Sequence, residues 1–119
     1  MFKYFLHFIC IVFLIPEIIL SQSTYYVSVT GNNSNNGLTA NTAFATLEYA
    51  SNIVAVGDSV LVLSGNYTGF DIRTSGTPIQ PIVFKALSND VIINVRNPIT
   101  TDGINIEDAD WIEVLGFNV

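Results

Sequence analysis

Apolar and polar positions recur at one spacing through the second half of the chain. Val60, Ile82 and Ile104 stand 22 residues apart, as do Val62, Phe84 and Ile106, and Phe70, Ile92 and Val114. The polar positions keep the same step, with Asp58, Gln80 and Asp102 aligned, and likewise Asn66, Ser88 and Asp110. A fixed period with matched apolar and turn positions is the mark of a repeat architecture. The units are short, rich in β-branched residues and free of helical spacing, so they predict strands. Parallel pairing across such connections predicts an all-β fold, a right-handed parallel β-helix. Successive coils would lie about 4.8 Å apart. Val60, Ile82 and Ile104, with Val62, Phe84 and Ile106, would stack inward. Leu61, Val83 and Asn105, with Leu63, Lys85 and Glu107, would face outward. Leucine-rich repeats need a Leu-x-x-Leu-x-Leu pattern that is absent here, and a β-sandwich has no need of a fixed period.

Ahead of the repeats the pattern changes. Residues 25–29 (Tyr-Tyr-Val-Ser-Val) predict a first strand, and the Gly/Asn-rich residues 31–37 a loop. Leu47, Ala50 and Val54 fall on one face of a short helix with Thr46 as N-cap and Glu48 in its first turn. Gly57-Asp58 ends it, so residues 24–58 form a strand, a loop and a capping helix. The coils occupy 59–119: strand 59–63, turn 65–68, strand 69–72, turn 74–80, a second coil over 81–102 and a third from Gly103. The chain stops at Val119 inside an apolar, strand-like run. That predicts a fragment, the front end of a longer solenoid, because such stacks need closing repeats.

The first 23 residues predict a cleaved signal peptide. Lys3 opens it, an apolar run covers 4–15 with only His7 as an interruption, and Ser21 and Ser23 supply small residues for cleavage before Thr24. Pro16 and Glu17 break the run short of the ~20 residues that a membrane span needs. The expectation is a secreted or cell-surface protein with no membrane partner after cleavage. Loss of 1–23 removes the only Cys, so disulfides are excluded. It leaves Arg73, Lys85 and Arg96 against nine acidic residues, a net charge of −6. That balance argues against a nucleic-acid partner, which needs clustered Lys and Arg.

An ordered series of segments carries a family resemblance. Tyr25-Tyr26-Val27-Ser28, Gly31 through Gly37, Ala43-Phe44-Ala45-Thr46-Leu47, Gly57-Asp58-Ser59-Val60-Leu61-Val62 and Gly65-Asn66-Tyr67 come first. Ser75-Gly76-Thr77, Pro81 through Ala86 and Asp102 through Ile106 follow. The series resembles the N-terminal segment of secreted right-handed β-helix proteins of the pectate-lyase-like superfamily, with Ala43 and Asn66 in place of the usual Pro and Thr. The resemblance implies a carbohydrate-active protein that binds polysaccharide, a lyase on acidic glycans with calcium in the full-length protein. The alternatives are a non-catalytic adhesin or glycan-binding β-helix, and a glycoside hydrolase. No catalytic residue carries over, and the segment alone is expected to be inactive.

The residues themselves offer few groups for such chemistry. A lyase needs a cation for the uronate carboxylate and a base for the α-proton. Lys85, the first candidate base, is expected over Glu107 as an ordinary cross-strand ion pair. Arg73 and Arg96 read as solvated charges. Glu107, Asp108 and Asp110, with Glu113 close by, form the only acidic cluster, a candidate calcium site that also fits a polar turn. Asn32 through Asn36 carry the same ambiguity between ligands and turn residues. Tyr67 and Trp111 occupy equivalent turn positions, either as corner plugs or as platforms for sugar rings. Asn32 and Asn66 open N-glycosylation patterns.

Overall fold

The structure is a computed structural model that describes residues 21–119. The expected signal peptide therefore lies almost wholly outside the described residues. Among the described residues no helix is long and apolar enough to cross a membrane.

Among the described residues, eight short strands and one α-helix form a small α/β domain. In chain order they are β1 (Thr24–Val27), α1 (Leu47–Ile53), β2 (Ser59–Val62), β3 (Gly65–Thr68), β4 (Phe70–Ile72), β5 (Ile82–Ala86), β6 (Val91–Val95), β7 (Ile104–Ile106) and β8 (Ile112–Leu115). They make three parallel sheets: a four-stranded one in the order β1-β2-β5-β8, and the pairs β3-β6 and β4-β7. Val27, Val60, Val62, Ile82 and Phe84 of the larger sheet share one core with Tyr67, Val91 and Ile93 of the second and Phe70 and Ile72 of the third. Helix α1 adds Leu47 and Ala50 to that core, and Phe44 from the loop before it also joins. Thr46 caps the helix through its hydroxyl, which accepts the Tyr49 N–H at 3.2 Å, and Glu48 sits in the first turn.

The uniform solenoid expected from the spacing is corrected by the registers. Val60 pairs with Phe84, not Ile82, and Ile82 pairs with Ile112, not Ile104. Ile104 belongs to another sheet, where it faces Phe70. The expected column Phe70, Ile92 and Val114 is spread over three sheets, with Ile92 opposite Asn66 and Val114 opposite Phe84. Connections of unequal length separate the paired strands, so no common 22-residue step exists. The structure shows short parallel sheets of two and four strands with one helix, in place of a right-handed parallel β-helix of equal coils. The inward alternation survives at Val60, Val62, Ile82 and Phe84, all fully buried. At these four positions the true register differs from the expected one by an even number of residues, and an even slip keeps a side chain on its face.

A second correction concerns 65–68, expected as a turn. It is strand β3, paired along its length with β6 and with a register irregularity after Tyr67. Asn118 extends this sheet beyond β6, accepting the Ile93 N–H at 2.8 Å and donating to the Val91 carbonyl at 3.0 Å.

Buried polar side chains tie the connections to the sheets. Asp58 takes the Ser23 N–H at 2.8 Å and the Ala55 N–H at 2.9 Å, which fixes the entry to β1 and β2. The asparagines of the 31–37 loop are spent in the same way. Asn33 accepts from Ala45 N–H at 2.8 Å, Asn32 from Ser34 N–H at 2.8 Å and Asn36 from Leu38 N–H at 3.0 Å, while Asn35 donates to the Ala43 carbonyl at 3.0 Å. This is the turn role among the two weighed for them.

Candidate functional site

The two aromatic corners differ. Tyr67 projects from β3 into the core, 5% exposed, and its hydroxyl donates to the Leu63 carbonyl at 2.7 Å. It is a plug. Burial pushes its phenol above the ordinary value of 10.0, with the Val29 backbone hydrogen bond acting weakly in the other direction. The fold thus favours the neutral phenol. That stabilisation is full below pH 10.0 and is lost as pH rises through the higher folded-state value. Unfolding at alkaline pH followed by tyrosinate absorbance should show a step that Tyr67→Phe removes. An unchanged alkaline limb in that variant would contradict the assignment.

Trp111 is the reverse case. It is 56% exposed at the turn before β8, with φ at 59°. A bulky non-glycine residue in the left-handed region costs on the order of 1–2 kcal/mol, so its neighbours must hold it there. The Trp111 carbonyl accepts the Ile82 N–H at 3.0 Å, and the Asp110 carbonyl accepts the Gly76 N–H at 2.9 Å. The Asp110 N–H in turn donates to the Ser75 hydroxyl at 3.0 Å. Asp108, at φ 54°, makes the second left-handed step of the same turn. The indole is therefore presented to solvent on a backbone stitched to the 75–82 segment.

The expected acidic cluster lies around it but does not converge. Among the described residues no three His, Cys, Asp or Glu side chains come together as a metal would require. Glu107 meets Arg73 at 3.0 Å instead of Lys85, and Arg73 also reaches Asp71 at 3.5 Å. Lys85 faces Leu115 across β5 and β8, so the expected Lys85–Glu107 rung is corrected along with the register. Arg96 stands exposed just beyond β6.

Sequence reasoning missed one polar network. Asp71 lies between Phe70 and Ile72 on β4 and is 6% exposed. Its carboxylate accepts from the Asn97 amide at 2.9 Å. Its N–H donates to Glu48 at 2.9 Å, and its carbonyl accepts from Ser51 at 2.6 Å. The only signal was an acidic residue between two core positions. A groove of about 410 Å³ runs beside this network, lined by Glu48, Asn66, Asn97, Val29 and Ile99 among others. Asn97 is engaged on both sides, since its side-chain oxygen also takes the Ile99 N–H at 2.9 Å. Its chief polar groups thus knit α1 and the 97–102 loop to β4, which is a structural duty.

No family model matches the chain. The Bacillus subtilis (strain 168) protein described as "Uncharacterized protein YwoF" is 33% identical over 100 residues, which cover 79% of this chain and 21% of that protein. The chain spans about a fifth of that relative's length. Among solved structures, XylC in complex with xylose superposes with a TM-score of 0.54 and 26% identity, over 59% of this chain and 11% of its own. The native GH136 lacto-N-biosidase from Eubacterium ramulus superposes with a TM-score of 0.64 and 20% identity, over 77% and 19%. The second likeness shows the fold alone. With the registers above, these neighbours overturn the expected pectate-lyase-like resemblance.

Proposed function

We propose a carbohydrate-related role, in which this chain contributes a sugar-contacting turn centred on Trp111 to a protein that acts outside the cell or at its surface. The observation that carries it is the exposed indole held in a left-handed turn. A large flat apolar face at low conformational cost is what a sugar's C–H face packs against, and nearby hydroxyl and carboxylate oxygens can orient its hydroxyls. A structural neighbour in complex with xylose supports the reading. The extracellular setting rests on the leader-like start of the sequence. A lyase step is not part of this proposal, because Lys85 pairs with Leu115 rather than standing over Glu107, and Arg73 is engaged by Glu107.

Calorimetric titration with neutral xylo- and galacto-oligosaccharides tests it. A tryptophan at the centre of a binding surface is typically worth about 2 kcal/mol or more on truncation, so Trp111→Ala should weaken binding roughly thirtyfold or abolish it. Tyr67→Phe should leave it unchanged. Equal affinity in wild type and Trp111→Ala would sink the proposal.

A further inference from the structure

The charge around Trp111 narrows the class of glycan. Glu107, Asp108, Asp110 and Glu113 fall within four residues of it along the chain, and all four are exposed. The cations that could offset them are few. Among the described residues they are Arg73, Lys85 and Arg96. Arg73 is committed to Glu107 and Asp71 at 3.0 and 3.5 Å. Lys85 lies opposite Leu115, three residues beyond the pair Ile82–Ile112 beside Trp111, about 10 Å along the strand. Arg96 follows β6, in a different sheet. A ligand packed on the indole therefore lies on a turn whose flanking residues are exposed carboxylates, and that turn holds no cation.

We infer that the Trp111 turn selects neutral glycans and rejects uronate-bearing ones. This rests on the sugar-contacting reading of Trp111. Carboxylates accept hydrogen bonds from sugar hydroxyls, and such charge-assisted bonds are about twice as strong as neutral ones. The same carboxylates repel a uronate. Two unit charges held about 6 Å from a uronate in a water-like medium correspond to roughly a tenfold loss of affinity. This inference departs from the acidic-glycan expectation of the sequence, because four of the nine acidic residues after position 23 stand at this turn.

Trp111 is the sole tryptophan, so fluorescence excited at the indole reads this site alone. The chain is titrated with a linear neutral xylo-oligosaccharide and with the same oligosaccharide bearing one glucuronic acid branch, at low salt and at 1 M salt. The neutral ligand should bind about tenfold tighter at low salt. The gap should close at 1 M, where the screening length falls to about 3 Å. In Asp108→Asn/Asp110→Asn the low-salt ratio should fall toward one. Asn tolerates the left-handed turn at 108, so the backbone is preserved. Equal or tighter binding of the acidic ligand at low salt, or a ratio unmoved in the double variant, overturns the selectivity. Absence of any signal with both ligands at either salt instead overturns the Trp111 reading beneath it, and the selectivity with it.

Discussion

Phe70→Ala should destabilise the domain by about 3–5 kcal/mol, the usual cost of emptying a buried aromatic position. Phe70 is fully buried on β4. Its ring packs at a centroid distance of 5.3 Å from Phe84 of the four-stranded sheet and 6.4 Å from Phe117 past β8. One side chain thus joins two sheets and the segment after the last strand. Its loss removes transfer energy and also leaves a void that strands fixed by parallel ladders cannot collapse into. Domains of this size hold about 5–15 kcal/mol in all, so a third or more of the margin would go. Urea denaturation followed by circular dichroism measures it, and Phe70→Leu should recover part of the loss. A change below about 1 kcal/mol in Phe70→Ala would mean that the three sheets do not share this core.

Gly69→Ala should come second, at about 1–3 kcal/mol or above. Gly69 has no need of a left-handed conformation, and the constraint is space. A methyl there would run into the Gly103 carbonyl oxygen and lie 2.7 Å from the Asn97 backbone nitrogen and the Asp102 carbonyl oxygen. These are backbone atoms of the 97–103 segment, which is closed by the Asn97 N–H to Asp102 carbonyl bond at 2.7 Å, while the Gly69 N–H is itself held by the Val95 carbonyl at 2.7 Å. They cannot swing aside as a flexible side chain would. Hydrogen exchange should speed up at the Gly69 and Asn97 amides in the variant. Wild-type protection at both would show that the loop yields without cost.

The strands and the helix were largely legible because their signals are local. Alternating Val60, Val62, Ile82 and Phe84 announce a buried face, and Thr46 announces a helix start. The register was not legible. It depends on how many residues each connection absorbs, and a two-residue slip leaves every apolar residue on its face. Strand β3 was read as a turn because Gly65, Asn66 and Thr68 are turn formers. Pairing with Val91, Ile92 and Val95 of β6 overrides that preference. Asp71 was invisible for a related reason, since its burial comes from the Asn97 loop and helix α1, which lie 26 and 20 residues away at their bonds to Asp71. For the site, the sequence placed Tyr67 and Trp111 at equivalent turn positions of one repeat, which the registers overturn, and it could not tell plug from platform. The difference lies in what covers each: Leu63 and the core over one, solvent over the other.

The central claim is that the Trp111 indole meets sugar. The most direct measurement is the indole N–H resonance of this single tryptophan during titration with a neutral xylo-oligosaccharide. A saturable shift of that resonance, with the Ser75 and Asp110 amides moving in step, is the expected result. An indole resonance that stays fixed while the oligosaccharide binds elsewhere, or while nothing binds at all, would contradict it.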